Sequence, residues 1–209
     1  MDDSERGSEA VAPGPSAFHT NSLHPTKQAT RGRGILREII ETLVLTALIF
    51  VGVRVLVQNY KVEGFSMEPT LQNGQYVIVN KIGLHFAALH RGDIIVFHYP
   101  LDPSESFVKR VIGLPGDTVA VQNRHLVLDG KVINEPYING LMAANYPQVT
   151  VPAGDYFVMG DNRNNSSDSR AWGPLPANEV IGRAWISYWP PQDWGFVHDF
   201  TFPTLSPTT

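Results

Sequence analysis

The sequence predicts a mainly β protein: a small, closed or coiled antiparallel β-domain behind one N-terminal transmembrane helix. Three observations predict it. After residue 60 the apolar residues fall in short runs rich in Val, Ile, Phe and Tyr, punctuated by turn pairs such as Asn73-Gly74, Arg91-Gly92 and Asp129-Gly130. No helical run of ordinary length follows residue 60. Before it, Thr42 to Val57 reads TLVLTALIFVGVRVLV, with Arg54 as its only charge.

Composition narrows the class. A length of 209 residues suits one domain, or one domain with extras. Hydrophobic residues make up 43%, which excludes wholesale disorder. Sixteen Lys and Arg against twenty Asp and Glu leave a net charge of -4, so no large basic surface for nucleic acid is implied. Cysteine is absent, which removes disulfide frameworks, thiol nucleophiles, cysteine zinc sites and iron–sulfur clusters.

Residues 1–35 read as a flexible tail. Gly7 to Ser16 has no apolar period, and burial there cannot offset the entropy of ordering. Asp2, Asp3, Glu5 and Glu9 occupy the place of a basic n-region, so the tail is not a signal peptide. Residues 36–58 follow as the expected span. Ile39 to Val57 supplies 19 residues at the cost of including Glu41, close to the roughly 20 that a bilayer core needs. Arg54 sits where it can snorkel to the interface. The alternative is a buried or amphipathic helix, but the polar residues do not gather on one face. Lys27, Arg31, Arg33 and Arg37 precede the span, whereas only Lys61 follows it before Lys81. That asymmetry places the N-terminus in the cytoplasm and residues 59–197 outside.

In the domain at 59–197, strands are expected at 76–79, 93–97, 107–112, 118–121, 125–128, 131–133, 156–159 and 180–186. Residues 198–209 read as a flexible C-terminal tail. Familiar catalytic strings fail: there is no Walker loop, GxGxxG, HExxH or GxSxG, and the seven His are scattered. One SxxK string, Ser106 to Lys109, lacks the SDN and KTG companions. On a strand, residues three apart face opposite sides, which argues against Ser106 as a partner of Lys109.

Three segments carry the polar chemistry. In Gly64-Phe65-Ser66-Met67-Glu68-Pro69-Thr70-Leu71, Ser66 falls in a bend before a proline; its plainer role is a turn serine capping one helical turn. In Phe107-Val108-Lys109-Arg110-Val111-Ile112, a strand puts Phe107, Lys109 and Val111 on one face. Apolar company lowers a lysine pKa and suits it to general-base work. The plainer reading is an exposed lysine whose stem covers apolar surface. Arg110 points the other way and needs a carboxylate or solvent. The third segment, Gly160 to Gly173, holds Asp161, Ser166, Asp168 and Arg170 in a dense polar run after an apolar strand. It is either a solvated loop or a rigid polar scaffold beside a site, with the two acids fixing arginines through bidentate contacts.

In this order, GFSMEPTL (64–71), RGDIIVF (91–97), FVKRVIGLPGD (107–117) and GDNRNNSSDSRAWG (160–173) resemble the type I signal peptidases. These are the serine–lysine leader peptidases of bacterial membranes, and the likeness is to the short Gram-positive and cyanobacterial forms. The resemblance implies a coiled β catalytic domain behind the span, in the cell membrane. It implies a serine endopeptidase that removes signal peptides from exported preproteins after A-x-A-like sites. By the same resemblance Ser66 matches the nucleophile and Lys109 the general base. Ser166 matches the serine that orients the lysine amine. Asp161, Asp168 and Arg170 match residues that hold the site together, with Arg110 beside the base. A Gram-negative form carries an oxyanion-hole serine two positions before the nucleophile; here Gly64 stands there, leaving the backbone N–H of Ser66. The implied partners are signal peptides of secretory preproteins, the lipid bilayer and the export translocon, with no nucleic acid, metal or organic cofactor. Phe65, Phe107 and Ile112 are candidate walls of the substrate pockets. Two rivals stand beside this reading. A self-cleaving repressor-type peptidase uses a related Ser–Lys pair but wants a DNA-binding domain, and a tethered binding module has no need of both Ser66 and Lys109.

Overall fold

A computed structural model describes residues 31–81 and 87–203. Residues 1–30 and 204–209 of the two expected tails lie outside the described residues; the rest departs from the expectation, since Arg31 already begins a helix, Asp199 pairs with Arg183, and Phe200 and Phe202 pack on the core. The chain divides into two compact units, residues 1–46 and 47–209. Helix α1 covers Arg31–Leu56. Its apolar side chains are exposed, Leu43 and Leu48 by more than 60%. The hydroxyls of Thr42 and Thr46 turn back onto the carbonyls of Glu38 and Thr42, each at 2.8 Å, so their polarity is met within the helix. Among the described residues no helix is long and apolar enough to cross a membrane, so the transmembrane helix expected at 36–58 is not confirmed by α1.

The second unit is antiparallel β. Its strands are β1 (Val57–Lys61), β2 (Tyr76–Asn80), β3 (Ile94–Tyr99), β4 (Asp102–Gly113), β5 (Thr118–Gln122), β6 (His125–Leu128), β7 (Lys131–Val132), β8 (Tyr146–Thr150), β9 (Asp155–Met159), β10 (Leu175–Pro176), β11 (Val180–Trp189) and β12 (Gly195–Phe196). The larger sheet runs β1-β2-β11-β3-β4-β9-β10, with β12 added to β11. A four-stranded sheet, β7-β6-β5-β8, is inserted between β4 and β9. The only α-helix described after α1 is the single turn α2 (Ser169–Trp172).

All eight expected strand regions are strands, and the mainly β reading holds. Four strands escaped it, β1, β8 and the two-residue β10 and β12. β1 reads VQNYK and is an edge strand paired only with β2; none of its residues is fully buried, so it carries no apolar pattern. β8 contains Pro147 and lies at the edge of the smaller sheet, where a missing N–H is tolerated.

The core explains why β3 and β4 carry the site. Ile94 to Phe97 are buried on both faces because apolar clusters lie on each side of the sheet. Ile94 and Val96 join Val77, Val79, Met67 and Leu71; Ile95 and Phe97 join Val111, Val158 and Leu175. A third cluster fills the space between β4, β9 and the smaller sheet, around Ile112, Leu126, Leu128 and Phe157. Ile112 is therefore fully buried core, not a pocket wall as the sequence suggested.

Candidate active site

The turn bearing Ser66 is held by its neighbours. Met67 and Leu71 are 1% and 2% exposed, plugged into the cluster of Val77, Val79 and Ile94. Burying two such side chains favours the turn by roughly 3–6 kcal/mol before entropy is charged. Leu71 N–H donates to the Met67 carbonyl at 2.9 Å, closing one helical turn. Ser66 precedes that turn and stays partly exposed.

Across from it, β4 pairs Lys109 with Ile95 and Arg110 with Ile94. Lys109 is 4% exposed. Its Nζ donates to Ser66 Oγ at 2.8 Å and to the Val108 carbonyl at 3.0 Å. The Phe107 ring lies 5.2 Å from the amine. Phe107 and Val111 belong to one apolar cluster, as expected for the face that Lys109 shares. Burial pulls the amine down to about 8, against the opposing charges of Asp168 and Asp161.

Arg110 is fully buried and takes the carboxylate that its burial demands. Its Nε and Nη2 donate to the two oxygens of Asp161 at 2.8 and 2.7 Å, and Nη1 donates to the Gly92 carbonyl at 2.8 Å. Thr70 Oγ1, four residues beyond Ser66, donates to Asp161 Oδ2 at 2.5 Å. Asp161 thus joins the serine turn to the lysine strand. Asp168 caps α2 and makes a second fork: Arg170 Nε and Nη2 donate to it at 2.8 and 2.7 Å. Burial alone would raise the Asp168 carboxyl; Arg170 outweighs it, helped by the Gly160 N–H and the nearby Ser166 hydroxyl, and holds it below its usual range.

The segment 160–170 also grips the serine's own backbone. Asn162 N–H donates to the Ser66 carbonyl at 3.0 Å, and Asn162 Nδ2 donates to the Phe65 carbonyl at 3.0 Å. A Cβ on Gly160 would stand 2.4 Å from the Ser66 carbonyl oxygen and 2.3 Å from Ser166 Oγ, so only glycine fits.

The structure brings Ser66, Lys109, Arg110, Asp161, Ser166, Asp168 and Arg170 into one constellation. The orienting contact expected of Ser166 is not made: its buried hydroxyl lies toward the Asp168 carboxylate, and the lysine amine meets the Ser66 hydroxyl and a carbonyl instead. Gly64 has φ +89, a backbone shape suited to glycine, and its N–H donates to Asn73 Oδ1 at 3.0 Å. Thr70 and Asn162 had no role in the sequence reading, although both lie inside motif segments. Glu135 had no signal at all, being an isolated acid in a loop, yet it is buried against Arg163.

A cleft of about 610 Å³ opens at the dyad. One wall is the extended stretch from Tyr60 through Ser66, and the other is β4 from Glu105 to Lys109. Phe65 and Phe107 line it. Two such walls with a hydroxyl and an amine among their lining can seat an extended peptide and present a carbonyl to an oxygen nucleophile.

A serine hydroxyl hydrogen-bonded to a buried lysine on a coiled β-domain defines a serine–lysine hydrolase. Comparison with known proteins agrees. Residues 36–189 match the family model described as signal peptidase, peptidase S26. A probable signal peptidase I-1 of Synechocystis sp. is 46% identical over 144 residues, 66% of this chain and 74% of that protein. The signal peptidase I of Leptolyngbya laminosa is 39% identical, covering 88% of this chain and 93% of its own length. Signal peptidase IB of Staphylococcus aureus is 35% identical over 79% of this chain and 94% of its own. The chain belongs to the signal peptidase family, peptidase S26. It is a serine endopeptidase of the signal peptidase I type.

Proposed function

We propose that the chain removes N-terminal signal peptides with Ser66 as nucleophile and Lys109 as general base. The observation that carries this is the 2.8 Å hydrogen bond from Lys109 Nζ to Ser66 Oγ, made by an amine drawn down to about 8. The preprotein lies extended between the Tyr60–Ser66 wall and β4. Neutral Lys109 takes the Ser66 proton as the oxygen attacks the scissile carbonyl. The Ser66 N–H receives the oxyanion, since Gly64 offers no hydroxyl there. The protonated lysine gives its proton to the leaving amine, and the ester is released when Lys109 activates a water. Asp161, Asp168, Arg110 and Arg170 hold the two reacting side chains in register. Small residues at the first and third positions before the bond, as in A-x-A sites, fit a cleft narrowed by Phe65 and Phe107.

The chain is held at the cell membrane through α1; although α1 as described does not meet the length and apolarity of a span, the sequence pattern over 36–58 favours residues before it in the cytoplasm and the catalytic unit outside. Support comes from its exposed apolar side chains and from the basic residues that precede it. The lipid bilayer and the export translocon are its neighbours there.

The test is cleavage of a preprotein bearing an Ala-x-Ala site by the purified full chain in lipid or detergent. Activity in the parent, and its loss in Ser66→Ala and in a folded Lys109→Ala, is the expected result. Turnover that survives both substitutions would remove the dyad from this role.

A further inference from the structure

The smaller sheet makes no part of the cleft, yet one of its connections reaches the centre of the polar constellation. After β7 the chain plants Ile133, 3% exposed, in the core of that sheet, with its N–H on the Leu126 carbonyl at 2.9 Å. Two residues later Glu135 is buried, 8% exposed. It forms a fork with Arg163, Nη1 and Nη2 donating at 2.5 and 2.6 Å. Tyr137 donates its hydroxyl to Glu135 Oε1 at 2.6 Å and accepts from Arg163 Nη2 at 3.1 Å. The Tyr137 ring faces two guanidinium groups, that of Arg110 at 4.3 Å and that of Arg163 at 5.7 Å.

What Arg163 does with its remaining contacts matters. Its Nε donates to the Gly160 carbonyl at 3.0 Å, and its own carbonyl accepts from Arg170 Nη2 at 2.7 Å. Gly160 N–H donates to Asp168 at 3.1 Å. Gly160 is therefore held at both its N–H and its carbonyl, at the point where it abuts the Ser66 carbonyl and Ser166. Within the segment 160–170 these bonds close on themselves. Glu135 is the buried charged anchor that ties the segment to the connection after β7, beside the exposed bonds of Asn164 to the Leu141 carbonyl and the Ala143 N–H, and Tyr137 ties that anchor to Arg110, the residue beside Lys109.

We propose that Glu135 and Tyr137 are positioning residues for the Ser66–Lys109 pair, acting through Arg163 and Arg110, so that the smaller sheet sets the geometry of the reacting groups. This rests on the reading of Ser66 and Lys109 as the dyad. Neither residue lines the cleft, so the effect belongs in the chemical step and not in substrate affinity. It also belongs in the pH profile. The amine is surrounded by Ser66, Phe107 and the Val108 carbonyl. The charges near it are Asp161 and Asp168, each paired with an arginine, with Lys61, Glu63 and Glu105 along the cleft. Burial is the largest influence on it, so loosening 160–170 admits water and raises its pKa.

The experiment uses the full chain in detergent with an Ala-x-Ala preprotein, measuring kcat, KM and the pH profile of kcat/KM. Glu135→Gln and Tyr137→Leu are expected to lower kcat at least tenfold with KM changed less than twofold, and to move the pH limb in the alkaline direction. Tyr137→Phe keeps the ring beside both guanidinium groups and is expected to retain most of the activity. Thermal unfolding is followed alongside. Lower melting temperature with kcat and the pH limb unchanged would overturn the proposal, leaving only a structural brace. If Glu135→Gln does not fold, Tyr137→Leu against Tyr137→Phe decides by the same readouts. Ser66→Ala and Lys109→Ala run in parallel. If these two cleave like the parent, the dyad fails and the positioning role with it; if they are inactive while the Glu135 and Tyr137 variants keep kcat and profile, only the positioning role fails.

Discussion

Lys109 and Arg110 are consecutive cations on one strand, and the pleat gives them opposite fates. Arg110 turns to a buried carboxylate and stays charged, forked onto Asp161. Lys109 turns to apolar side chains and the Ser66 hydroxyl, with no carboxylate in hydrogen-bond contact. Alternation on a β-strand thus separates a structural charge from a reactive amine in adjacent residues.

The first consequence is a pH dependence of activity. As the proposed base, Lys109 must be neutral to accept the Ser66 proton, and burial draws its pKa down to about 8. Below that value kcat/KM should fall about tenfold per pH unit. Above it a plateau is expected. Measuring kcat/KM from pH 6 to 10 checks this; a flat profile would exclude Lys109 as the base.

Stability carries the same signature. An unfolded lysine keeps its pKa near 10.5, so between about 8 and 10.5 the unfolded chain binds the extra proton. Stability therefore rises with pH through that window and is lost as pH falls through 8. The full difference is on the order of 3 kcal/mol. Lys109→Met removes it. Chemical denaturation at pH 7 and pH 10 should show the variant gaining relative to the parent at pH 7, with the gain shrinking at pH 10.

Arg110 and Asp161 make a different prediction. Both are essentially inaccessible, at 1% and 0% side-chain exposure. Asp161→Asn leaves a buried guanidinium without its counter-charge and should cost about 3–5 kcal/mol. Replacing both, as Arg110→Met with Asp161→Leu, should cost less than the sum of the two single changes, since neither charge is then stranded. Activity should not return in the double variant, because Thr70 loses the acceptor that ties its turn to β4. Urea titrations with parallel cleavage assays separate the two effects.

The sequence disclosed the fold and the dyad unevenly. Strands such as Tyr76–Asn80 announce themselves as short runs of β-branched and aromatic residues after a turn pair. Locally Lys109 and Ser66 also suit plainer roles, an exposed strand lysine and a turn serine; the order of the four motif segments is what singled them out. Asp161 and Asp168 were legible as acids wanting arginines, although which arginine each takes depends on β4 meeting the loop after β9. Glu135 was not legible: its partner is 28 positions away and arrives only when the smaller sheet folds onto the larger. Thr70 and Gly160 likewise derive their roles from one close approach across the chain. Long-range polar pairing leaves no local period in a sequence.

Gly160 provides a steric test. A methyl group there would press to 2.4 Å of the Ser66 carbonyl oxygen and 2.3 Å of Ser166 Oγ. The carbonyl is backbone and cannot swing away, so the serine or the loop must move. Gly160→Ala should cost about 1–3 kcal/mol through overpacking. Displacing the nucleophile by a fraction of an ångström should lower kcat by up to about a hundredfold. Equal kcat in the variant would show that the approach of the two segments has no bearing on turnover.

Gly64 tests the oxyanion hole without that crowding. No atom lies within 4 Å of where its Cβ would stand, so a side chain has room. The obstacle is the backbone, with φ at +89. Gly64→Ser must either hold a strained conformation, at a cost of about 1 kcal/mol or more, or shift the chain away from Asn73. If the backbone relaxes to negative φ, the direction of the side chain changes with it, and the hydroxyl is expected to miss the oxyanion. The variant is therefore expected to be less stable and no faster than the parent, while Gly64→Ala shows the same loss of stability. A rise of tenfold or more in kcat for the serine variant alone would mean that the added hydroxyl reaches the developing charge, and that the Ser66 N–H is not sufficient by itself.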